Sequence, residues 1–262
     1  MATTITGTTI DVGPNKLVAN SAGNVGINTA SPETKLTIDS DISTTYSATG
    51  YAQQVANSLL YLNNTNGGSN TASLINFRTG TGDGLVGFVS GSTNECDFVV
   101  ATDGGSNGIE RLRVSNAGIV TKPYQPAFLA TGVTTNNIAI ATAGTTLPFS
   151  EVFDQNSDFS SNTFTAPVTG KYQLQFGLRI DDIDTAAAWV RAVIITSNRQ
   201  YKTMIIDPAR TFSSDPDYFS LSTSVLADMD AGDTARVAWG QSGGAATATL
   251  IDDSQFSGHL VA

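Results

Sequence analysis

The segment that most constrains the fold runs from Leu147 to Phe176 and ends in a regular alternation. Its last seven residues, Gly-Lys-Tyr-Gln-Leu-Gln-Phe, place an apolar side chain at every second position from Tyr172 onward. This period of two is typical of a strand that buries one face. Pro167 and Gly170 stand just before it and favour a tight turn, because proline fixes φ and glycine tolerates a positive φ. The segment therefore predicts a turn that leads into a long, half-buried strand.

The composition extends this prediction to the whole chain. The 262 residues are rich in Gly, Ser, Thr, Asn and Ala, with only 14% charged and 40% hydrophobic residues. Turn-forming and β-branched residues dominate, and no long segment rich in Leu, Glu, Lys and Ala is present, so an all-β protein is expected. The length suits one large β domain or two moderate ones.

Charge and cysteine content exclude several classes of function. A net charge of −10 disfavours binding to nucleic acid and to anionic membrane surfaces. The amino terminus has neither the basic nor the apolar part of a signal peptide, and no apolar run approaches the roughly 20 residues that span a bilayer. We therefore expect synthesis in the cytoplasm of the cell that makes the protein, and no membrane insertion. Cys96 is alone, so no intrachain disulfide can form, and it is interpreted as a small buried residue.

A set of aromatic residues and one glycine around the opening segment carries a family signature. Its members are Phe153, Phe159, Phe164, Gly170, Tyr172 and Phe176. Their order and spacing resemble the C1q-like domain, which is related to the tumour-necrosis-factor jelly roll. Two features depart from the family pattern. The interval between Phe159 and Phe164 is two residues short, which a shortened surface loop explains, and Leu174 replaces an aromatic residue, which changes only the volume filled in the core.

Two later segments extend the resemblance to the end of the chain. The turn at Gly232-Asp233 resembles the family's entry into a strand, and the segment with Phe256 and Gly258 resembles its closing strand. The resemblance implies that residues 122–262 form a ten-stranded jelly-roll β-sandwich that assembles as a tight homotrimer. It places ten residues in the core or at the trimer interface: Phe153, Phe159, Phe164, Gly170, Tyr172, Phe176, Gly232, Asp233, Phe256 and Gly258.

The amino-terminal half is interpreted as an arm and a β-rich module. Residues 1–20 are rich in threonine and cannot bury much surface alone, so they form an extended arm or a strand that a partner completes. Residues 21–38, with the sequence Gly-Asn-Val-Gly-Ile, then Ser-Pro, then Lys-Leu-Thr-Ile, predict two short strands separated by a proline turn. These residues also resemble a module that recurs in phage tail fibres and other viral fibre proteins.

The rest of this half predicts an antiparallel meander. Apolar runs at 72–77, 85–89, 96–101 and 109–114 are separated by glycine-rich turns. The segment that begins Glu-Arg-Leu-Arg-Val at Glu110 resembles the closing strand of viral shaft modules, so residues 21–121 are interpreted as one fibre shaft or shoulder. Between 39 and 62 the spacing fits a helix and a strand equally. Two prolines near 122–128 then predict an extended boundary before the head at 122–262.

Candidate chemistry is sparse. His259 is the only histidine and lies in the predicted closing strand, so we expect no catalytic triad and no enzyme activity. Aspartates cluster at 181–184, at 228–233 and at 252–253, where turn formation is the usual role. Asp252 and Asp253 resemble an acidic loop that binds Ca²⁺ near the trimer axis of some C1q-like heads. One histidine and one cysteine argue against a zinc site, so Ca²⁺ is the metal ion considered, and no other cofactor is expected.

These resemblances imply a structural virion fibre or adhesin of a tailed phage, located on the virion surface. The arm would attach to other virion proteins, and the homotrimeric head would bind a host cell-surface glycan, with Trp189 or Tyr201 offering a flat ring for a sugar. Three alternatives stay open. The protein could be a capsid decoration or head-fibre protein, its head could only trimerise the fibre, or it could degrade glycans.

Overall fold

The computed structural model describes residues 17–262 except 20, 30, 50, 93, 106 and 107, and the side chains of 18, 19, 53 and 203 are also outside the description. Most of the predicted arm, residues 1–16, lies outside the described residues. The elements of the first half are β1 (Leu17–Ala19), β2 (Val25–Ile27), β3 (Leu36–Ile38), α1 (Tyr51–Ala56), β4 (Ala72–Thr79), β5 (Gly82–Ser92), β6 (Glu95–Asp103), β7 (Gly108–Val114) and β8 (Val120–Thr121).

Two sheets form in this half. In the smaller one, β2 pairs antiparallel with β1 and parallel with β3, so the two strands predicted around the proline turn are confirmed. The larger sheet has the order β4-β5-β6-β7-β8 and confirms the predicted meander. Helical spacing near Val55 gives only the short α1. The expectation of a buried Cys96 is wrong, because this side chain is exposed at the beginning of β6.

The second half consists almost entirely of strands. Its elements are β9 (Ala127–Gly132), β10 (Thr135–Ala139), β11 (Thr145–Thr146), β12 (Phe149–Asp154), β13 (Phe159–Ser160), β14 (Thr163–Thr165), β15 (Gly170–Asp181), β16 (Ala187–Thr196), β17 (Gln200–Ile206), α2 (Pro208–Thr211), β18 (Phe219–Met229), β19 (Thr234–Gly243), β20 (Thr247–Leu250) and β21 (Gln255–Leu260). No helix in the described part of the chain is long and apolar enough to cross a membrane.

These strands form a jelly roll, as expected. The first sheet has the order β10-β20-β15-β21-β9-β12, with β18 on the other side of β15. The second sheet has the order β13-β14-β19-β16-β17, with β11 also on β19. The chain passes repeatedly from one sheet to the other: β14 lies in the second sheet, β15 in the first, β16 in the second, β18 in the first and β19 in the second. This alternation lets two antiparallel sheets bury their facing sides against each other.

The long strand β15 shows why the sequence folds this way. Tyr172, Leu174 and Phe176 are buried on one side, while the residues between them face outward. The turn before it is fixed by the Tyr172 hydroxyl, which donates a hydrogen bond to the Val168 carbonyl at 2.7 Å. The strand then pairs with β18 over its whole length and with β21 over six residues. The alternation predicted from sequence thus becomes the centre of the first sheet.

Aromatic rings from both sheets meet in the core between them. Phe128 of β9 stacks on Phe164 and Phe159, with ring centroids 4.7 and 5.1 Å apart, and meets the edge of Phe256 at 5.0 Å. Every residue of the buried core cluster lies between positions 128 and 256. The segment from Phe128 to Phe256 therefore carries a complete hydrophobic core of its own.

The contacts within the chain define two compact units, which are described separately. One consists of the chain up to Leu74 together with Phe88–Cys96, and the other consists of Ile75–Gly87 together with Asp97–Ala262. The predicted boundaries at 20/21 and 121/122 stay a prediction. Within the second unit, Gln125 Nε2 donates to the Leu260 carbonyl at 2.7 Å, which fastens the proline-rich segment to the last strand.

Candidate functional site

The acidic loop between β20 and β21 is held firmly at its two ends. Ser254 is buried, and its hydroxyl accepts a hydrogen bond from the Arg179 backbone at 2.9 Å. The Asp252 backbone N–H donates to the Thr134 hydroxyl at 3.1 Å. Asp252 and Asp253 themselves are exposed. The loop thus presents two carboxylates to solvent from a fixed backbone.

Arg179 of β15 joins this loop to a second acidic residue. Its Nη1 donates to Asp253 Oδ2 at 2.8 Å, and its Nε and Nη2 donate to the two carboxylate oxygens of Asp181 at 3.2 and 3.1 Å. The guanidinium also lies 4.9 Å from the centre of the Tyr218 ring. We call Arg179, Asp181, Asp253 and Tyr218 the arginine cluster. Asp181, with a side chain only 13% exposed, is its most buried member.

Hydrogen bonds dominate the electrostatics of the arginine cluster. The hydrogen bonds that Arg179 donates to Asp181 raise the pKa of its guanidinium above the ordinary value, and the hydrogen bond to Asp253 makes the next largest contribution. The bidentate pairing with Asp181 is the geometry that fixes a guanidinium most firmly. Because Asp253 and part of Arg179 are exposed, solvent screens the pairs, and their contribution to stability is small. Their main effect is to fix where the acidic loop lies.

This pairing bears on the predicted calcium site. Asp253 already interacts with a cation that belongs to the chain, and a calcium ion would compete with that guanidinium for the same oxygen. Asp252 is the remaining acid of the loop. Among residues 17–262, apart from the undescribed positions, no group of three or more His, Cys, Asp or Glu side chains is arranged to hold a metal. Binding of Ca²⁺ by Asp252 and Asp253 stays a prediction.

The middle of the outward side of the first sheet is an uncharged surface, bordered by Lys171 and Asp228 at one end and by Arg179 at the other. We call it the sheet face and define it by small and amide side chains of β15, β18 and β21: Gln173, Gln175, Gly177, Ser220, Ser222, Ser224, Gln255 and Ser257. Strand register places Gln175 between Ser224 and Ser257, and its Nε2 donates to the Ser257 hydroxyl at 3.1 Å. A surface of this kind can receive another polypeptide without removing a charge from water.

Most of the aromatic residues predicted for the core lie between the two sheets of the jelly roll. Phe159, Phe164 and Phe256 are buried there, together with Tyr172 and Phe176. Phe153 is different, because its side chain on the edge strand β12 is 50% exposed, so within one chain it does not belong to the core.

The predicted glycines and Asp233 have structural roles of their own. A Cβ on Gly258 would lie 2.7 Å from Leu174 Cδ2, and one on Gly170 would lie 2.6 Å from the Ala262 carbonyl oxygen, so both need the absence of a side chain. Gly232 has a φ of +90° in the turn before β19. Asp233 Oδ2 accepts from the Asp230 backbone at 2.8 Å and closes that turn.

Other candidates lie apart from the arginine cluster. His259 is exposed on β21 beside Gln173 and Ala127. Tyr201 packs against the buried core, so its ring is less open to a sugar than the sequence suggested. Trp189 is half-buried and carries the Arg191 guanidinium 5.0 Å from its ring centre. Of the three aspartate runs, the first and the third meet at Arg179 through Asp181 and Asp253.

Sequence reasoning missed Arg179, Asp181 and Tyr218 as one group. Arg179 and Asp253 are 74 residues apart, and only the pairing of β15 with β20 and β21 brings them together. One signal was available, namely that the outward row of β15 is uncharged after Lys171 until Arg179 and Asp181 follow each other at its end. Asp158 was also missed. Its Oδ2 is buried without a described hydrogen-bond partner, and burial, with a smaller contribution from Asp154, raises the pKa of its carboxyl.

Comparisons with known proteins give similar solved structures but no family. No protein-family model and no curated protein matches the chain. Among solved structures, the chain is similar to the globular domain of zebrafish complement 1qA protein, with 17% identity, 53% of this chain and 98% of that chain covered, and a TM-score of 0.40. It is also similar to murine APRIL at pH 8.0, with 12% identity, 52% of this chain and 99% of that chain covered, and a TM-score of 0.39. The strand order described above therefore carries the conclusion that residues 127–260 form a jelly roll.

Proposed function

We propose that this chain is a structural fibre or adhesin on the virion surface of a tailed phage, that it works as a homotrimer, and that its head binds a host cell-surface glycan without turnover. The fibre and phage assignments rest on the resemblance of residues 21–121 to viral fibre modules. The trimer rests on the C1q-like resemblance of residues 122–262. The residues before 21 attach the fibre to other virion proteins.

One observation carries the proposal, namely the lack of a core in the first half of the chain. Among the described residues from 17 to 121, Val99 is the one large hydrophobic side chain that is buried. A single antiparallel sheet without a covering layer does not bury enough apolar surface to offset the conformational entropy lost on folding. A segment of this kind suits a shaft whose interior is completed by other copies of the chain.

The head supplies a surface on which copies could meet. The sheet face carries no charged side chain, and the adjoining strand β18 has a described hydrogen-bonding neighbour on only one side. Long open edge strands tend to pair or to be covered. Assembly around the sheet face would cover it, and a ring of identical contacts closes without leaving a free surface. Repeated weak sites on three heads would then raise avidity for a host surface.

The direct test is binding of the head to carbohydrate. Residues 122–262 contain the whole core cluster and are expected to fold alone. We expect an array of bacterial surface polysaccharides to retain this fragment, and we expect reducing ends not to accumulate during incubation. A head that binds no polysaccharide, on an array that retains a control lectin, contradicts receptor binding and leaves the head as a trimerisation device. Release of reducing ends would contradict binding without turnover.

The location on the particle is a separate test. Antibodies against residues 122–262 should label the tail of intact virions when viewed by electron microscopy. Labelling distributed over the capsid would contradict the tail position and favour a capsid decoration or head-fibre protein.

A further inference from the structure

We propose that a cleft in the first compact unit is a second carbohydrate site, outside the jelly roll, and that its ligand is a neutral saccharide. The cleft has a volume of about 870 Å³ and is lined by Tyr51 of α1, by the loop from Asn64 to Thr71, and by parts of β4, β5 and β6. A volume of this order suits a short oligosaccharide. The site itself is independent of the head, but its biological use as an adhesin rests on the proposed function.

Two aromatic rings line this cleft and are partly exposed to solvent. Tyr51 is 75% exposed and Phe88 is 51% exposed, although large apolar rings are normally covered in a folded protein. The flat face of an aromatic ring offers apolar contact to the C–H groups of a sugar ring. Two such rings on one cleft provide this contact at two points.

The polar part of the cleft is held in place before any ligand arrives. Asn64 Oδ1 accepts from the Asn66 backbone at 3.1 Å, and Asn66 Oδ1 accepts from the Gly68 backbone at 3.1 Å. The Thr71 hydroxyl donates to the Asn66 carbonyl at 2.8 Å. These bonds fix the loop while Asn66 Nδ2 donates to no residue in the described part of the chain. A preorganised amide donor lowers the entropic cost of binding a hydroxyl-rich ligand.

The charge of the cleft selects against anions. Glu95 is its one charged lining residue in the described part of the chain, and one oxygen of this carboxylate accepts from the Ser92 hydroxyl at 2.5 Å. A phosphate or sulfated ligand would meet a like charge with no lysine or arginine to compensate it. Hydroxyl groups can donate to Glu95 and accept from Asn66. This mixture of donors and acceptors with aromatic rings favours a neutral saccharide over a cationic peptide, for which a single, partly engaged carboxylate is a weak partner.

Affinity electrophoresis of the full-length protein tests this site. Native gels containing dextran, mannan, galactan or a neutral N-acetylglucosamine polymer serve as probes. We expect at least one polysaccharide to retard the protein, and we expect Tyr51→Ala and Phe88→Ala each to weaken that retardation roughly tenfold, as loss of about 1.4 kcal/mol implies. The matched control is Tyr61→Ala, since Tyr61 is 72% exposed in the same unit but does not line the cleft. It should bind as the unaltered protein does.

Several results would overturn the inference. These are a lack of retardation on all four polysaccharides, equal effects of Tyr51→Ala and Tyr61→Ala, and displacement of the polysaccharide by an oligolysine peptide but not by free oligosaccharide. A change in oligomeric mass of the Tyr51→Ala protein without a change in retardation would also overturn it, because the cleft would then be a contact between copies.

The same gels separate this inference from the proposed head function. If residues 122–262 bind polysaccharide and Tyr51→Ala has no effect on the full-length protein, the cleft site fails while head binding stands. If the head fragment binds nothing and the full-length protein loses retardation through Tyr51→Ala and Phe88→Ala, head binding fails while the cleft site stands.

Discussion

The two halves of this chain use the same kind of strand but differ in what covers it. In the second half, two sheets pack together, and aromatic residues such as Phe128 and Phe164 are fully enclosed between them. In the first half, β4 to β8 form one sheet, in which Val99 is the one large hydrophobic side chain buried among the described residues, and Phe77 is 58% exposed. An alternation of apolar and polar residues is enough to form a strand, but a hydrophobic core requires a second layer that covers the apolar side. We infer that other copies of the chain supply that layer for the first half.

The largest expected effect distinguishes a buried from an exposed phenylalanine. Phe164→Ala should lower the free energy of unfolding by about 3–5 kcal/mol, because it removes a ring from a closed core. Phe77→Ala should have a much smaller effect that grows with protein concentration. Urea unfolding at several protein concentrations measures both. A concentration-independent loss above about 2 kcal/mol for Phe77→Ala would show that Phe77 is buried within its own chain.

A pair of glycines sharpens the same comparison. A methyl group at Gly258 would lie 2.7 Å from Leu174 Cδ2 and 2.8 Å from Phe128 Cε1, whereas nothing lies within 4 Å of the corresponding position at Gly67. Gly258→Ala should therefore destabilise the protein by about 1–3 kcal/mol through overpacking. Gly67→Ala should be neutral or slightly stabilising. Thermal unfolding of the two variants checks this, and equal shifts in the midpoint would contradict the packing difference.

A smaller effect is expected from a single hydroxyl group. Tyr172→Phe removes the hydrogen bond to the Val168 carbonyl and should lower the free energy of unfolding by about 0.5–1.5 kcal/mol. Tyr61→Phe is the control in the first half, because that side chain is largely exposed. If the two variants unfold at the same urea concentration, the turn before β15 does not depend on the Tyr172 hydroxyl.

The smallest expected effect depends on pH and concerns Asp158. Burial raises the pKa of this carboxyl in the folded chain, so the folded state holds the proton more tightly than the unfolded state does. The contribution of Asp158 to stability is therefore fully present below its unfolded pKa and is lost as the pH rises through the folded pKa. Asp158→Asn should gain stability relative to the unaltered protein across that window, by less than the change expected for Tyr172→Phe.

Urea titrations of Asp158→Asn at a series of pH values measure this gain. Asp252→Asn, which alters an exposed carboxylate, is the control. A gain for Asp158→Asn that decreases as the pH rises would reverse the expected sign and contradict the burial argument.

Most of the fold could be predicted because its signals are local. The alternation around Tyr172, the Pro167–Gly170 turn and the glycine-rich turns of the meander each act over a few residues, and the structure places strands where they predict them. Burial was harder to predict. Cysteine is a residue type that is usually buried, yet Cys96 is exposed. Its burial would require a second layer over β6, and the residues around Cys96 do not indicate whether such a layer exists.

The candidate sites could be predicted only in part, because they depend on contacts between distant segments. The acidic loop at Asp252 and Asp253 was visible, but its partner Arg179 is positioned through strand pairing. Likewise, Tyr51 and Phe88 are 37 positions apart, and the cleft that they share follows from the path of the chain between them. Residue types indicate what chemistry is available, whereas topology decides which residues meet.

The most direct test of the central claim is the solution mass of the full-length protein and of residues 122–262, measured by light scattering after size-exclusion chromatography. We predict that both have three times the mass of their chain, since the head would trimerise alone and the first half would complete its core from the other copies. If both are monomers and the first half remains folded, the proposal that other copies supply its missing layer is contradicted.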